Sequence, residues 1–232
     1  MTFDLPPPLP PVDADAADDV PSSSLTPELL AGLLADGDDE LAAWTLRHAL
    51  EEGSRAEVYD GLLAGAMALV GERWATGRWT VAEEHLLSAS VRSVLGTLTR
   101  GYARIDTPGR LVFATPAGEL HELGTLGAAT LAASGGLGVI YLGQSLPAEE
   151  ILRVALDIEL DAVVLGVTAV GEGRATIDHA VAEVARQLPR DVELWLGGAA
   201  AGRLADSLKP RVLALDGYEA LSQHLTRLGA RF

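Results

Sequence analysis

Two periodicities divide the chain. From residue 25 to about 101, apolar positions recur every three or four residues, the repeat of helices with one buried face. Beyond about 110 they gather into short continuous runs separated by helical stretches, the pattern of parallel strands covered on both faces.

The first part predicts four helices. "TPELLAGLLADG" opens on Thr26, carries Pro27 at the first helical position and closes at Gly37. "DDELAAWTLRHALEEG" ends on Gly53. The third helix starts at a Ser54–Glu57 capping box and places Tyr59, Leu63, Val70 and Trp74 on one face. The fourth starts at a Thr80–Glu83 capping box, with Trp79 as a hydrophobic staple before it, and faces inward with Leu87, Val91, Leu95 and Leu98. Short links between helices of this length predict an antiparallel four-helix bundle over residues 25–105.

The second part, residues 106–232, has apolar runs at 111–116, 138–143, 162–168, 193–198 and 211–215. Helices are expected near 122–135, 147–157, 173–187, 199–207 and 217–228. The fold class is therefore α/β: an N-terminal helical bundle followed by a five-stranded parallel sheet of flavodoxin-like (Rossmann-like) order. A ligand crevice is expected at the carboxyl ends of its strands.

Composition narrows the function. Residues 1–24 are rich in Pro, Asp, Ala and Ser and read as an acidic, solvated tail. The net charge is −16, the one lysine is Lys209, and Arg47 is the first basic residue. This balance argues against direct binding of nucleic acid, which needs phosphate neutralisation. The absence of cysteine fits a cytoplasmic protein and removes thiolate chemistry. Neither a membrane span nor a secretory leader is apparent, and no complete catalytic constellation is either.

The candidate chemistry sits in "ELHELG", residues 119–124. His121 lies five residues beyond the first strand, at the start of the next helix, and so in the crevice. Glu119 can accept from one ring nitrogen and leave the other for a metal, and Gly124 lets a planar ligand approach. A solvated or capping histidine is the alternative. Thr168 at the third strand end and Gly197-Gly198 at the fourth stand in register with it and open a deep slot.

Glu119-x-His121-x-x-Gly124, then Thr168-Ala169-Val170, then Gly197-Gly198 resembles the cobalamin-binding fold of methionine synthase, corrinoid carriers and methylmalonyl-type mutases. There the pattern is Asp-x-His-x-x-Gly, Ser-x-Leu, Gly-Gly. The resemblance implies that His121 is the lower cobalt ligand. It also implies that Glu119, Glu122, Gly124, Thr168, Val170, Gly197 and Gly198 border the cofactor, whose displaced nucleotide tail threads the slot.

In the bundle, Trp74, nine intervening residues and then Glu84-His85 resemble adenosylcobalamin-dependent photoreceptors, best known as light-sensing repressors. In that family the tryptophan packs over the upper cobalt ligand, the Glu-His pair contacts the adenosyl group, and light breaks the cobalt–carbon bond. The resemblance implies a non-enzymatic sensor loaded with adenosylcobalamin, or alternatively methylcobalamin, that signals to a protein partner or through its own assembly. Two departures stand out. An acidic tail occupies the place of the DNA-binding domain, and Ala75 the place of the histidine that ligates cobalt after illumination, for which His85 or water is a substitute. The other readings are a corrinoid carrier of a methyltransferase system and a non-switching cobalamin or tetrapyrrole module. His48, His179 and His224 read as surface or boundary residues.

Overall fold

The computed structural model describes residues 26–232 except 53, 77–79, 105 and 169–172. The expected tail over 1–24, Gly53, Trp79 and Val170 lie outside the described residues, as do the side chains of Val70, Trp74 and Ala75.

Helix α1 (Pro27–Asp36) is capped by Thr26, whose hydroxyl accepts from the Leu29 N–H, and ends at Gly37 in the left-handed region. Helix α2 is Asp39–Glu52 and helix α4 is Val81–Tyr102. The Thr80–Glu83 box forms at α4, with both reciprocal hydrogen bonds present. Between them, Arg55–Glu57, Val58–Leu63 and Ala64–Ala75 run on as a single helix, α3. Two expectations for α3 are corrected. Ser54 makes no side-chain cap, although the Ser-x-x-Glu pattern is present. The middle of the helix, Val58–Leu63, is π-helical, with the Ala64 N–H reaching back to the Tyr59 carbonyl. The wider turn buries Tyr59, Leu62 and Leu63 together. It also swings Asp60 onto a helix start far along the chain.

The remaining elements alternate: β1 (Arg110–Pro116), α5 (Leu123–Ser134), β2 (Gly138–Leu146), α6 (Ala148–Asp157), β3 (Ala162–Gly166), α7 (Arg174–Gln187), β4 (Glu193–Gly197), α8 (Ala201–Ser207), β5 (Val212–Leu215) and α9 (Gly217–Arg227). The sheet is parallel in the order β2-β1-β3-β4-β5, the flavodoxin-like arrangement expected. Two boundaries move. Strand β3 stops at Gly166, before Thr168. Strand β2 continues to Leu146 because a register shift at Ala114↔Gly143 carries it past the expected end.

Side chains alternate between the faces of the sheet, as the pleat requires. Val112, Ala114, Val163, Leu165, Leu194 and Leu196 pack with α6, α7 and α8. Leu111, Phe113, Val164, Trp195 and Leu215 face the other way, toward α5 and α9, and join one apolar cluster with the buried faces of α1 to α4. Helix α5 is buried from Thr125 through Ser134 because it lies between sheet and bundle, and apolar character all round suits that place. Polar ties fasten the bundle to the rest. Arg55 donates to the carbonyls of Ser134 and Arg231, and Thr99 and Thr130 share a 2.7 Å hydrogen bond. Asp60 accepts the Tyr218 and Glu219 N–H groups at 3.0 and 3.1 Å, satisfying donors that the start of α9 leaves open.

Candidate functional site

A cavity of about 1310 Å³ lies between α3 and α4 on one side and the carboxyl ends of β3, β4 and β5 on the other. It exceeds the roughly 300–1,000 Å³ of ordinary small-molecule pockets. Every residue expected to border the cofactor whose side chain is described lines it except Glu119, which lies behind His121.

The floor is built from the loop after β1. Thr115, wholly buried, donates to the Glu119 carbonyl at 2.6 Å and accepts the Ser145 N–H at 2.9 Å. The Ser145 hydroxyl accepts the Gly118 N–H at 3.1 Å. This clamp sets Glu119, which is 1% exposed. Its Oε1 accepts the His121 N–H at 2.9 Å and meets His121 Nδ1 at 2.6 Å. Its Oε2 accepts the Thr168 N–H and hydroxyl at 2.7 and 2.6 Å. Burial pushes the Glu119 carboxyl up, but the hydrogen bonds from Thr168 and His121 together outweigh it and hold the group at about 2. Glu119 is thus an ionised acceptor. His121 Nδ1 must be the donor, and a neutral ring then carries its lone pair on Nε2. His121 itself stands in the loop two residues ahead of α5, not at the helix start, and its side chain is 63% exposed along the cavity.

Thr168 therefore serves the floor as the second partner of Glu119, with its hydroxyl also 3.1 Å from His121 Nδ1. Glu122, next to His121, is buried and bound on both oxygens. Arg92 of α4 donates to Oε1 at 2.7 Å, and the Tyr141 hydroxyl of β2 donates to Oε2 at 2.6 Å. Burial, then the hydrogen bond and charge of Glu122, push the Tyr141 hydroxyl up and keep it a donor. Arg92 thus ties the bundle to the histidine loop. Gly124 has open space where a side chain would stand, and its carbonyl accepts the Tyr218 hydroxyl at 3.1 Å.

The slot runs deeper along β3 and β4. Gly197 faces open space. Gly198 has φ +101°, and a side chain there would meet the Val167 carbonyl oxygen at 2.6 Å, so only glycine fits. Thr125, on the first turn of α5, lines the cavity and is 4% exposed, and its hydroxyl has no hydrogen-bond partner.

The roof is sparser. Glu84 of α4 accepts the Ser88 hydroxyl at 2.9 Å, and its side chain is 36% exposed. His85 is 67% exposed, with Nδ1 3.5 Å from Glu84 Oε2. Both line the cavity opposite the floor, at the end of α4 nearer Trp74.

These residues fit a corrinoid. One imidazole, oriented by an ionised carboxylate, suits a metal that brings its remaining donors in its own macrocycle. The glycines leave the clearance a large planar group needs, and the buried Thr125 hydroxyl awaits a polar atom. Sequence reasoning missed Arg92, Tyr141, Thr115, Ser145, Asp60 and Thr125. The one local signal was Arg92, which lies two turns beyond His85 on the same face of α4.

Residues 28–99 match the family model of the B12 binding domain. The chain is 37% identical over 145 residues to the HTH-type transcriptional repressor CarH of Myxococcus xanthus, covering 62% of this chain and 48% of the repressor. It is 25% identical over 147 residues to a corrinoid protein of Desulfitobacterium hafniense strain Y51, covering 60% of this chain and 67% of that protein. The chain thus spans about half the length of the repressor it matches. The monomethylamine corrinoid protein of Methanosarcina barkeri superposes with a TM-score of 0.60 at 16% identity, over 85% of this chain and 96% of that one, and shares its fold. Residues 28–99 thus match a B12 binding domain, and the chain as a whole shares the fold of that corrinoid protein.

Proposed function

Starting from that B12 binding domain, we propose that the chain is a cobalamin-dependent light sensor, non-catalytic, whose helical cap (25–105) reports the state of a cofactor held on residues 106–232. The carrying observation is the opposition of two Glu–His pairs across one cavity: Glu119–His121 on the sheet and Glu84–His85 on α4. Adenosylcobalamin is the form this reading assigns, and it supplies a photolabile cobalt–carbon bond when bound. His121 offers Nε2 to the metal, and Glu119, itself held by Thr168, fixes the ring's orientation and tautomer. Glu84 and His85, with Trp74 before them, are assigned to the upper group. Glu84 and His85 have little holding them besides their own helix, so the position of α4 would depend on what occupies the cavity beneath it. The signal passes to a partner protein or to assembly of the chain itself. The acidic balance of the chain keeps direct nucleic-acid binding out of this reading. No helix among the described residues is long and apolar enough to cross a membrane.

The similarity to the Desulfitobacterium corrinoid protein favours a second reading, a methyl carrier for a methyltransferase. One experiment separates the two. The protein is loaded with adenosylcobalamin in the dark, and absorbance and size-exclusion elution are recorded before and after green light. A spectral change with altered elution is expected. Absence of both changes would overturn the sensor, and turnover of a methyl form by a corrinoid methyltransferase would put the carrier in its place.

A further inference from the structure

Of the buried side-chain polar atoms left without a hydrogen-bond partner among the described residues, Thr125 Oγ1 alone lines the cavity. A buried hydroxyl without a partner costs free energy comparable to a lost hydrogen bond, so it calls for a ligand atom. The fold makes room for this hydroxyl deliberately. It lies against Gly166 at the end of β3, and a Cβ on residue 166 would stand 1.8 Å from Oγ1. Other polar side chains nearby are occupied: Thr168 by Glu119, Tyr218 by the Gly124 carbonyl, and Asp60 by the N–H groups opening α9. Ala128, Val164, Leu215 and Leu221, also lining the cavity, are apolar.

On the proposed reading His121 holds the metal, so the nucleotide tail of the cofactor is displaced into this slot, as the resemblance of the Glu119-x-His121-x-x-Gly124 motif implies, and the inference rests on that reading. With His121 as the metal ligand, the ring nitrogen of the tail's base that would otherwise hold the metal is a bare acceptor. Carried into an apolar slot, it needs a donor or forfeits its hydration. We infer that Thr125 is that donor. Its hydroxyl hydrogen-bonds the base nitrogen of the tail, and it thereby selects corrinoids that carry a nitrogen-bearing base. Thr168, whose hydroxyl already donates to Glu119, is committed to the floor.

The test compares two probes on the full chain: hydroxocobalamin, which has the base, and aquocyanocobinamide, which lacks the whole nucleotide. Thr125→Val keeps the branched shape and removes the hydroxyl, and Thr125→Ser restores it. Affinity by calorimetry should fall roughly 10- to 100-fold for hydroxocobalamin with Thr125→Val, return with Thr125→Ser, and stay unchanged for the cobinamide. Equal losses for both probes, or no loss for either, would overturn the inference. The cobinamide also reports whether the variant still folds around a corrinoid. A wild-type chain that binds hydroxocobalamin with the benzimidazole still on cobalt, seen by electron paramagnetic resonance of the reduced cobalt(II) form, would sink the histidine assignment and the inference together. Histidine-on spectra with an indifferent Thr125→Val would sink the inference alone.

Discussion

Glu119 with His121 and Glu84 with His85 are chemically the same pair, built on opposite plans. The first is clamped: Glu119 is buried, accepts from both His121 and Thr168, and meets the imidazole at 2.6 Å. The second is loose: Glu84 accepts from its own helix, and His85 stands 3.5 Å away and largely in solvent. The difference teaches which half of the cavity is set before anything binds. A preorganised floor holds a cofactor at little further ordering cost, whereas a roof of exposed side chains takes its geometry from what lies beneath it. On the proposed reading, a roof of that kind registers a change in the cofactor while the floor keeps hold of it.

The contrast can be broken from either side. The largest effect is expected at His121. His121→Ala should weaken cobalamin binding by about 100-fold or more and abolish the histidine-ligated spectrum. Retained affinity with an unchanged spectrum would mean that the floor is no anchor. Glu119→Gln keeps the shape and removes the charge, so binding should fall about 10-fold. It should also change how stability depends on pH. With the carboxyl held at about 2 in the folded protein against an ordinary 4.5, its stabilising contribution is complete above 4.5 and is lost as the pH falls toward 2. Urea denaturation of wild type and Glu119→Gln across that window should therefore converge at low pH. A gap that stays constant through the window would deny the clamp its charge.

Arg92→Ala tests the link between the two halves. It leaves the buried Glu122 carboxylate with Tyr141 alone, and a loss of about 1 kcal/mol in urea is expected, moderated by the half-exposed guanidinium. The smallest effect on stability belongs to the roof. Glu84→Ala and His85→Ala should each change unfolding by no more than about 0.5 kcal/mol, while lowering the preference for adenosylcobalamin over hydroxocobalamin. A large stability loss there would show that the roof is as clamped as the floor.

Much of this was legible in the sequence. Apolar period separated bundle from sheet, and regular βα alternation led to the sheet order, because both patterns follow from local geometry. His121, Thr168 and the Gly197-Gly198 pair could be placed because strand ends locate the crevice. What stayed hidden depends on partners distant in the chain or on unusual backbone. "VYDGLL" contains no proline, and its lone Gly61 does not distinguish a π turn from an α turn. Ser54 and Glu57 match a capping box yet form none. Arg92 and Glu122 are 30 residues apart, and only the folded arrangement of α4 on the loop brings them together. Thr125 carries no mark in its own stretch of sequence, and only the fold sets Gly166 against its hydroxyl.

The reach of Asp60 also sets an order of events in the making of the protein. Its carboxylate holds N–H groups at Tyr218 and Glu219, 158 and 159 residues further on. At roughly 5–20 residues per second, the ribosome delivers that helix start about 8–30 s after the π turn has been made. Until then the sheet beneath the bundle is incomplete and the helix end that Asp60 grips is missing, so the apolar underside of the bundle is only partly covered.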